Sequence, residues 1–130
     1  MIPDYKLASK RAEEVYQKYH TNNPIEVIRK QPNTLVLSFL ELSSAIGVNR
    51  DAILMVCGED NQDAVTTVHH ENGKIRYLIA FNQRLEDYAI RIALARELGH
   101  IALHHDGSRL ESVRNEEALC FAYHFICKGE

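Results

Sequence analysis

The chain has 130 residues, 45% of them apolar, and a net charge of −3, which suits one hydrophobic core and one domain over residues 1–130. Acidic and basic residues are interspersed, so overall charge offers no case for binding nucleic acid or a membrane surface. No apolar run approaches the length needed to cross a bilayer.

The opening residues, Met1-Ile2-Pro3-Asp4-Tyr5, do not form the basic-then-apolar pattern of a signal peptide. Residues 4–20 read as a helix, with Tyr5, Ala8, Ala12, Val15, Tyr16 and Tyr19 at helical spacing. A second helix starts after Asn23: Asn is a good N-cap, Pro24 suits the first helical position, and Glu26 can reach back as in a capping box. It runs to about Gln31, before Pro32. Residues 34–39 form a short strand rich in β-branched and apolar side chains.

Residues 41–57 read as two short helices broken near 47–49, with Asp51 close to the second start, and 58–62 as a polar loop. Residues 65–70 and 75–82 flank Glu71-Asn72-Gly73-Lys74, and Asn-Gly between two β-rich runs is the strongest short-range hairpin signal. Residues 84–105 form a long helix, apolar on nearly every side and therefore buried on nearly every side. A last helix covers 112–127. The expected class is α+β: a small sheet carrying the Asn-Gly hairpin packs on the long central helix, with flanking helices, and the last helix crosses near residues 96–100. Cys57, Cys120 and Cys127 match no disulfide framework and read as free thiols in a reducing compartment, so the expected location is cytoplasmic.

The central helix carries a polar stripe. Arg96, Glu97, His100 and His104 fall close together around the helix axis. Ionised side chains left in a core without partners cost several kcal/mol, of order 3 to 5 per broken pair, so the stripe must meet a cavity, solvent, a metal or complementary charge. Glu116 and Glu117, early in the last helix, are the nearest complement. Arg96-Glu97-Leu98-Gly99-His100 also has the outline of H-E-x-x-H, in which two His one turn apart bind Zn²⁺ and the Glu activates a water. Here the first His is Arg96, and a guanidinium stays protonated and cannot ligate.

Residues 96–105, Arg96-Glu97-Leu98-Gly99-His100-Ile101-Ala102-Leu103-His104-His105, resemble the H-E-L-G-H-x-x-L-H stretch of the ImmA/IrrE family of zinc metallopeptidases. Asn115-Glu116-Glu117-Ala118-Leu119-Cys120-Phe121-Ala122 is similar to that family's E-x-E-A-x-x-F-A segment, and Ile79-Ala80-Phe81-Asn82 to the strand before its active helix. The resemblance is specific over residues 75–126. It implies a zincin-like minimal domain, with Glu97 at the catalytic glutamate, His100 at the second His ligand and Glu117 at the third ligand, Glu116 being the adjacent possibility. It also implies zinc, cytoplasmic work in phage or mobile-element regulation, and a helix-turn-helix repressor or a peptide as partner.

Three readings of Arg96 stay open. In the first it replaces the metal's charge, pairing with Glu97 or Glu117. The site is then degenerate, zinc is absent, and the protein binds a partner without cleaving it. In the second, a rebuilt zinc peptidase uses His100 with His104, which share i, i+4 spacing, and Glu117 or Asp106, although Leu103 stands where Gly is usual before such a ligand. An altered set of His100 and Glu117 with Glu97 as base belongs to the same class. In the third, the domain is structural or interactive and has no working site. His69, His70 and the Cys120–His124 pair read as surface or coincidental groups.

Overall fold

The computed structural model describes residues 1–47, 63–105 and 108–128. Helices α1 (Tyr5–Tyr19) and α2 (Pro24–Arg29) lead into strand β1 (Thr34–Ser38) and helix α3 (Phe39–Ile46). Strands β2 (Ala64–Glu71) and β3 (Lys74–Phe81) follow, then helices α4 (Asp87–Ala102) and α5 (Glu111–Ile126). This is a small α+β domain whose described residues hold five helices and one mixed sheet of three strands, in the order β1-β3-β2. The second helix expected after residue 49 and the loop at 58–62 lie outside the described residues.

Local chemistry sets the element ends. Asp4 caps α1 by accepting from the Leu7 N–H, and Asn23 caps α2 by accepting from the Ile25 N–H. Glu26 does not close a simple capping box. It accepts from the Thr21 hydroxyl at 2.8 Å, and that hydroxyl takes the Asn23 N–H at 3.1 Å, so threonine relays the contact. The expected strand stops one residue early because Ser38 and Glu41 form a full capping box that turns Phe39 into a helix. Asn72 and Gly73 have φ of 51° and 77°, the positive pair a two-residue type I′ turn requires.

β1 lies parallel to β3, and β2 antiparallel to it. Cross-strand partners share a face, which decides what the hairpin presents to each side. Val65 opposite Ala80 joins Phe39 and Leu42 in a small cluster on one face. Ile79 points the other way, into the main core with Leu94, Leu98, Phe121 and Phe125. Thr66 is the partner of Ile79, so it also faces α4. Burying each such large apolar side chain contributes roughly 1.5–3 kcal/mol.

Helix α5 crosses α4 where the sequence placed it. A Cβ added at Gly99 would lie 3.0 Å from Phe121 Cδ1, so glycine is what lets the two helices approach this closely. Helix α4 is shorter than residues 84–105. Asn82 holds the Arg84 N–H in a turn, and extended Glu86 delays the start to Asp87. At the far end His104 takes φ of 54°, with hydrogen bonds from the His104 N–H to the Ile101 carbonyl and from the His105 N–H to the His100 carbonyl. That is a Schellman ending with histidine in the left-handed position usually held by glycine. No described helix is long and apolar enough to cross a membrane.

Candidate functional site

Glu97 and His100 sit three residues apart on α4 and therefore on one face. Beyond the Thr66–Ile79 pair the hairpin leaves a cavity of about 600 Å³ against that face. Its walls include Thr66, Val68 and His70 from β2, Ile75 and Tyr77 from β3, and Arg114 from α5. Glu97 and His100 join the lining from α4, with Ile101, His104 and His105 beyond them. The β2 and β3 residues are cross-strand partners, Val68 with Tyr77 and His70 with Ile75, so one face of one hairpin makes the wall.

Two part-buried networks meet here. In the first, Thr66 Oγ1 donates to Glu97 Oε2 at 2.6 Å. Burial pushes the Glu97 carboxyl up to about 7, against the lowering effects of this hydrogen bond and the Arg96 charge. Near neutral pH this group is shared between its acid and its carboxylate.

The second network centres on Glu117, whose side chain is 4% exposed. Arg109 grips both oxygens, Nε to Oε1 at 3.0 Å and a terminal nitrogen to Oε2 at 2.6 Å. His105 Nε2 lies 3.0 Å from Oε1, and the Asp4 backbone N–H donates to Oε2 at 2.7 Å. Burial alone would raise the Glu117 carboxyl; the Asp4 amide, Arg109 and His105 together outweigh it and hold the group below the usual range. Glu117 is therefore an anion with two partners on each oxygen.

That anion fixes the histidines. A carboxylate only accepts, so His105 Nε2 carries the hydrogen. Burial lowers the His105 pKa despite Glu117, and the ring is neutral at pH 7. Its Nδ1 is then an acceptor, and the 2.7 Å contact with His100 Nδ1 needs the hydrogen on His100. Burial, His105, Arg96 and Arg114 push His100 down to about 4, so it too is neutral. The assignment leaves His100 with an unprotonated Nε2.

The structure sorts the sequence candidates. It brings Glu97 and His100 into one cavity and turns Glu117 inward. Glu116 is exposed and takes a 3.3 Å hydrogen bond from the Tyr5 hydroxyl. His104 lines the cavity but lies beyond the helix end, so the i, i+4 face shared with His100 is lost. Asp106 lies outside the described residues, and exposed His124 and half-buried Cys120, whose thiol contacts the Tyr5 carbonyl, gain no third partner among the described residues.

Arg96 requires a correction. It is not the partner of Glu117, nor does it form an ion pair with Glu97. Its Nε is buried without a hydrogen-bond partner among the described residues, and it does not line the cavity. Arg109 holds Glu117 instead, because the loop before α5 delivers its guanidinium to both carboxylate oxygens.

Sequence reasoning missed four contributors: Thr66, His105, Arg109 and Arg114. The alternation of the hairpin could have found Thr66. The position of His105 depends on the Schellman turn and had no sequence signal.

These donors do not fit the zinc ion that the resemblance implies. Arg96 cannot ligate, and Glu117 has each oxygen engaged twice. Among the described residues no group of three or more His, Cys, Asp or Glu side chains is placed to share a metal ion. No protein-family model matches the chain, and no curated protein or solved structure is significantly similar to it.

Proposed function

We propose that the chain is a zincin-like domain of ImmA/IrrE type whose degenerate peptidase site binds a protein partner without cutting it. The observation that carries this reading is the cavity itself. A hairpin wall and helix α4 leave about 600 Å³ floored by Glu97 and His100, the two motif residues that survive, while the groups that would complete a zinc site are committed elsewhere. Apolar Val68, Ile75, Tyr77 and Ile101 offer burial, and Glu97, His100 and Arg114 offer polar contacts, the mixture typical of a specific recognition site. A helix-turn-helix repressor is the partner class the motif resemblance suggests.

The test mixes the purified chain with such a repressor in the presence of trace Zn²⁺ and follows complex formation by gel filtration and peptide products by mass spectrometry. The reading predicts a complex, intact repressor, and loss of the complex when Val68→Trp fills the cavity. Cleavage that disappears in Glu97→Gln would overturn it.

That outcome would favour the second reading, an active zinc peptidase with an altered ligand set. One observation speaks for it: a glutamate poised near neutrality suits a general base. In this reading Glu97 takes a proton from water, and His100 and Glu117 would be the ligands. It requires Glu117 to exchange Arg109 for a metal.

A further inference from the structure

We infer that Arg114 makes this cavity selective for a carboxylate: the partner segment that enters it carries one carboxylate set among apolar side chains. The inference rests on the proposed role of the cavity as a partner site, and it names the chemistry that the site takes.

Arg114 stands in the first turn of α5 and lines the cavity. A guanidinium is a permanent charge with a fork of N–H donors. Here the Nε is buried with no hydrogen-bond partner, and no carboxylate among the described residues forms an ion pair with the side chain. Buried polar groups are nearly always paired, so a cation that the fold leaves over points to a partner from outside. Arg91 and Arg96 share the orphaned Nε but not the position: Arg91 donates to Asn22 at 2.8 Å, and Arg96 does not line the cavity.

The carboxylates of the site are spoken for. Glu117 follows Arg114 on α5 at the spacing of a helical ion pair, yet its oxygens are taken by Arg109, His105 and the Asp4 amide. Glu97 accepts from Thr66. Glu111 is exposed at the cavity wall and makes no ion pair with Arg114. The wall therefore already holds one carboxylate, and a lone guanidinium beside it suits a single further negative charge better than a phosphate dianion. Its fork matches a carboxylate at two points. Val68, Ile75, Tyr77 and Ile101 supply the apolar lining, and about 600 Å³ lies in the ordinary range of a ligand pocket. A peptide's C-terminus on an apolar residue and an acidic side chain between apolar residues both present this chemistry.

The test titrates the ¹⁵N-labelled full chain with four peptides and reads Kd from amide shifts. The peptides are acetyl-Leu-Tyr-Leu with a free C-terminus, the same peptide amidated, acetyl-Leu-Glu-Leu-amide and acetyl-Leu-Gln-Leu-amide. The expected result is that one carboxylate peptide or both bind about tenfold more tightly than the neutral counterpart, the factor that hydrogen bonds to a charged group supply. A preference within the first pair assigns the carboxylate to a chain terminus, and one within the second to an acidic side chain. Arg114→Gln should abolish the preference, and Arg114→Lys, which keeps the charge without the fork, should retain part of it. Folding is checked by circular dichroism; if R114Q does not fold, Arg114→Met keeps the apolar stem and takes its place. Val68→Trp leaves Arg114 intact and should weaken every peptide by filling the cavity.

No preference for either carboxylate in the wild type would overturn the inference. So would a preference that persists in folded R114Q, or binding untouched by Val68→Trp. A preference that depends on Arg114, with no repressor complex formed, would instead overturn the proposed partner and keep the site, so the two failures are distinguishable.

Discussion

Glu97 and Glu117 are carboxyl groups on two helices that cross, the first half-buried against the cavity and the second buried, yet their charge states diverge. Among the described residues Glu97 has one hydrogen bond, from the Thr66 side chain, and burial lifts it to about 7. Glu117 has four, two of them from a guanidinium, and stays ionised. Burial penalises both anions; the supply of donors decides which one remains charged. The difference separates a group available to a ligand from one consumed by the fold.

The sharpest way to break the comparison is Glu117→Ala. It strands Arg109, His105 and the Asp4 amide together and should cost about 3 kcal/mol, the low end for a broken buried pair because the Arg109 side chain is 34% exposed. Urea denaturation measures this, and a loss no larger than that of a surface variant would count against the four-donor arrangement. Next comes the helix crossing that sets α5 against α4. Gly99→Ala forces a methyl against Phe121, and an overpacking cost of about 1–3 kcal/mol should appear as a lower Tm.

The pH profile sharpens the contrast. Glu97 is raised from 4.5 to about 7, so the folded state binds its proton more tightly, and stability from this group falls as pH rises from about 4.5 to 7. His100 is lowered from 6.5 to about 4, so the unfolded state binds its proton more tightly, and stability rises as pH climbs from about 4 to 6.5. The slopes oppose each other over most of that range. In Glu97→Gln only the rise should remain, and stability measured between pH 4 and 6.5 should climb more steeply than in the wild type. An unchanged slope would place Glu97 in an ordinary solvated setting. Glu117, whose pKa is depressed, should lose its contribution only under more acid conditions, as pH falls through its folded-state value.

Smaller effects complete the series. Thr66→Val removes the single donor to Glu97 among the described residues and should raise that carboxyl further, destabilising the protein by about 1 kcal/mol above pH 7, where the ionised form needs the bond, and by less at pH 5. Glu116→Ala should leave Tm unchanged, since Glu116 is exposed and its one hydrogen bond among the described residues is a long one from Tyr5. A large loss at Glu116 would mean that the inward and outward glutamates had been exchanged.

Sequence patterning reached the elements and one side of the site. Asn72-Gly73 announced the hairpin because few other pairs accept two successive positive φ values. The motif residues Glu97 and His100 line the cavity, and of the two glutamates left open, Glu116 and Glu117, Glu117 is the buried one. Sequence reasoning failed where the chain leaves a regular element. Leu103-His104-His105 continues the helical pattern and carries no glycine, so the helix was expected to run on to residue 105. Instead His104 adopts φ of 54° and folds His105 back against His100. Arg96 drew attention because it replaces a motif residue, whereas Arg109 lies in a connection whose path no periodicity specifies. The charge partner was therefore expected on the wrong arginine.

The central claim is that one carboxyl is free to titrate and the other is locked by Arg109. Carboxyl ¹³C NMR on glutamate-labelled protein, assigned with Glu97→Gln and Glu117→Gln, tests it directly. The account predicts that Glu97 titrates near 7 and that Glu117 stays ionised below the usual glutamate range. A Glu97 that titrates like an exposed glutamate, or a Glu117 that protonates above that range, would contradict it.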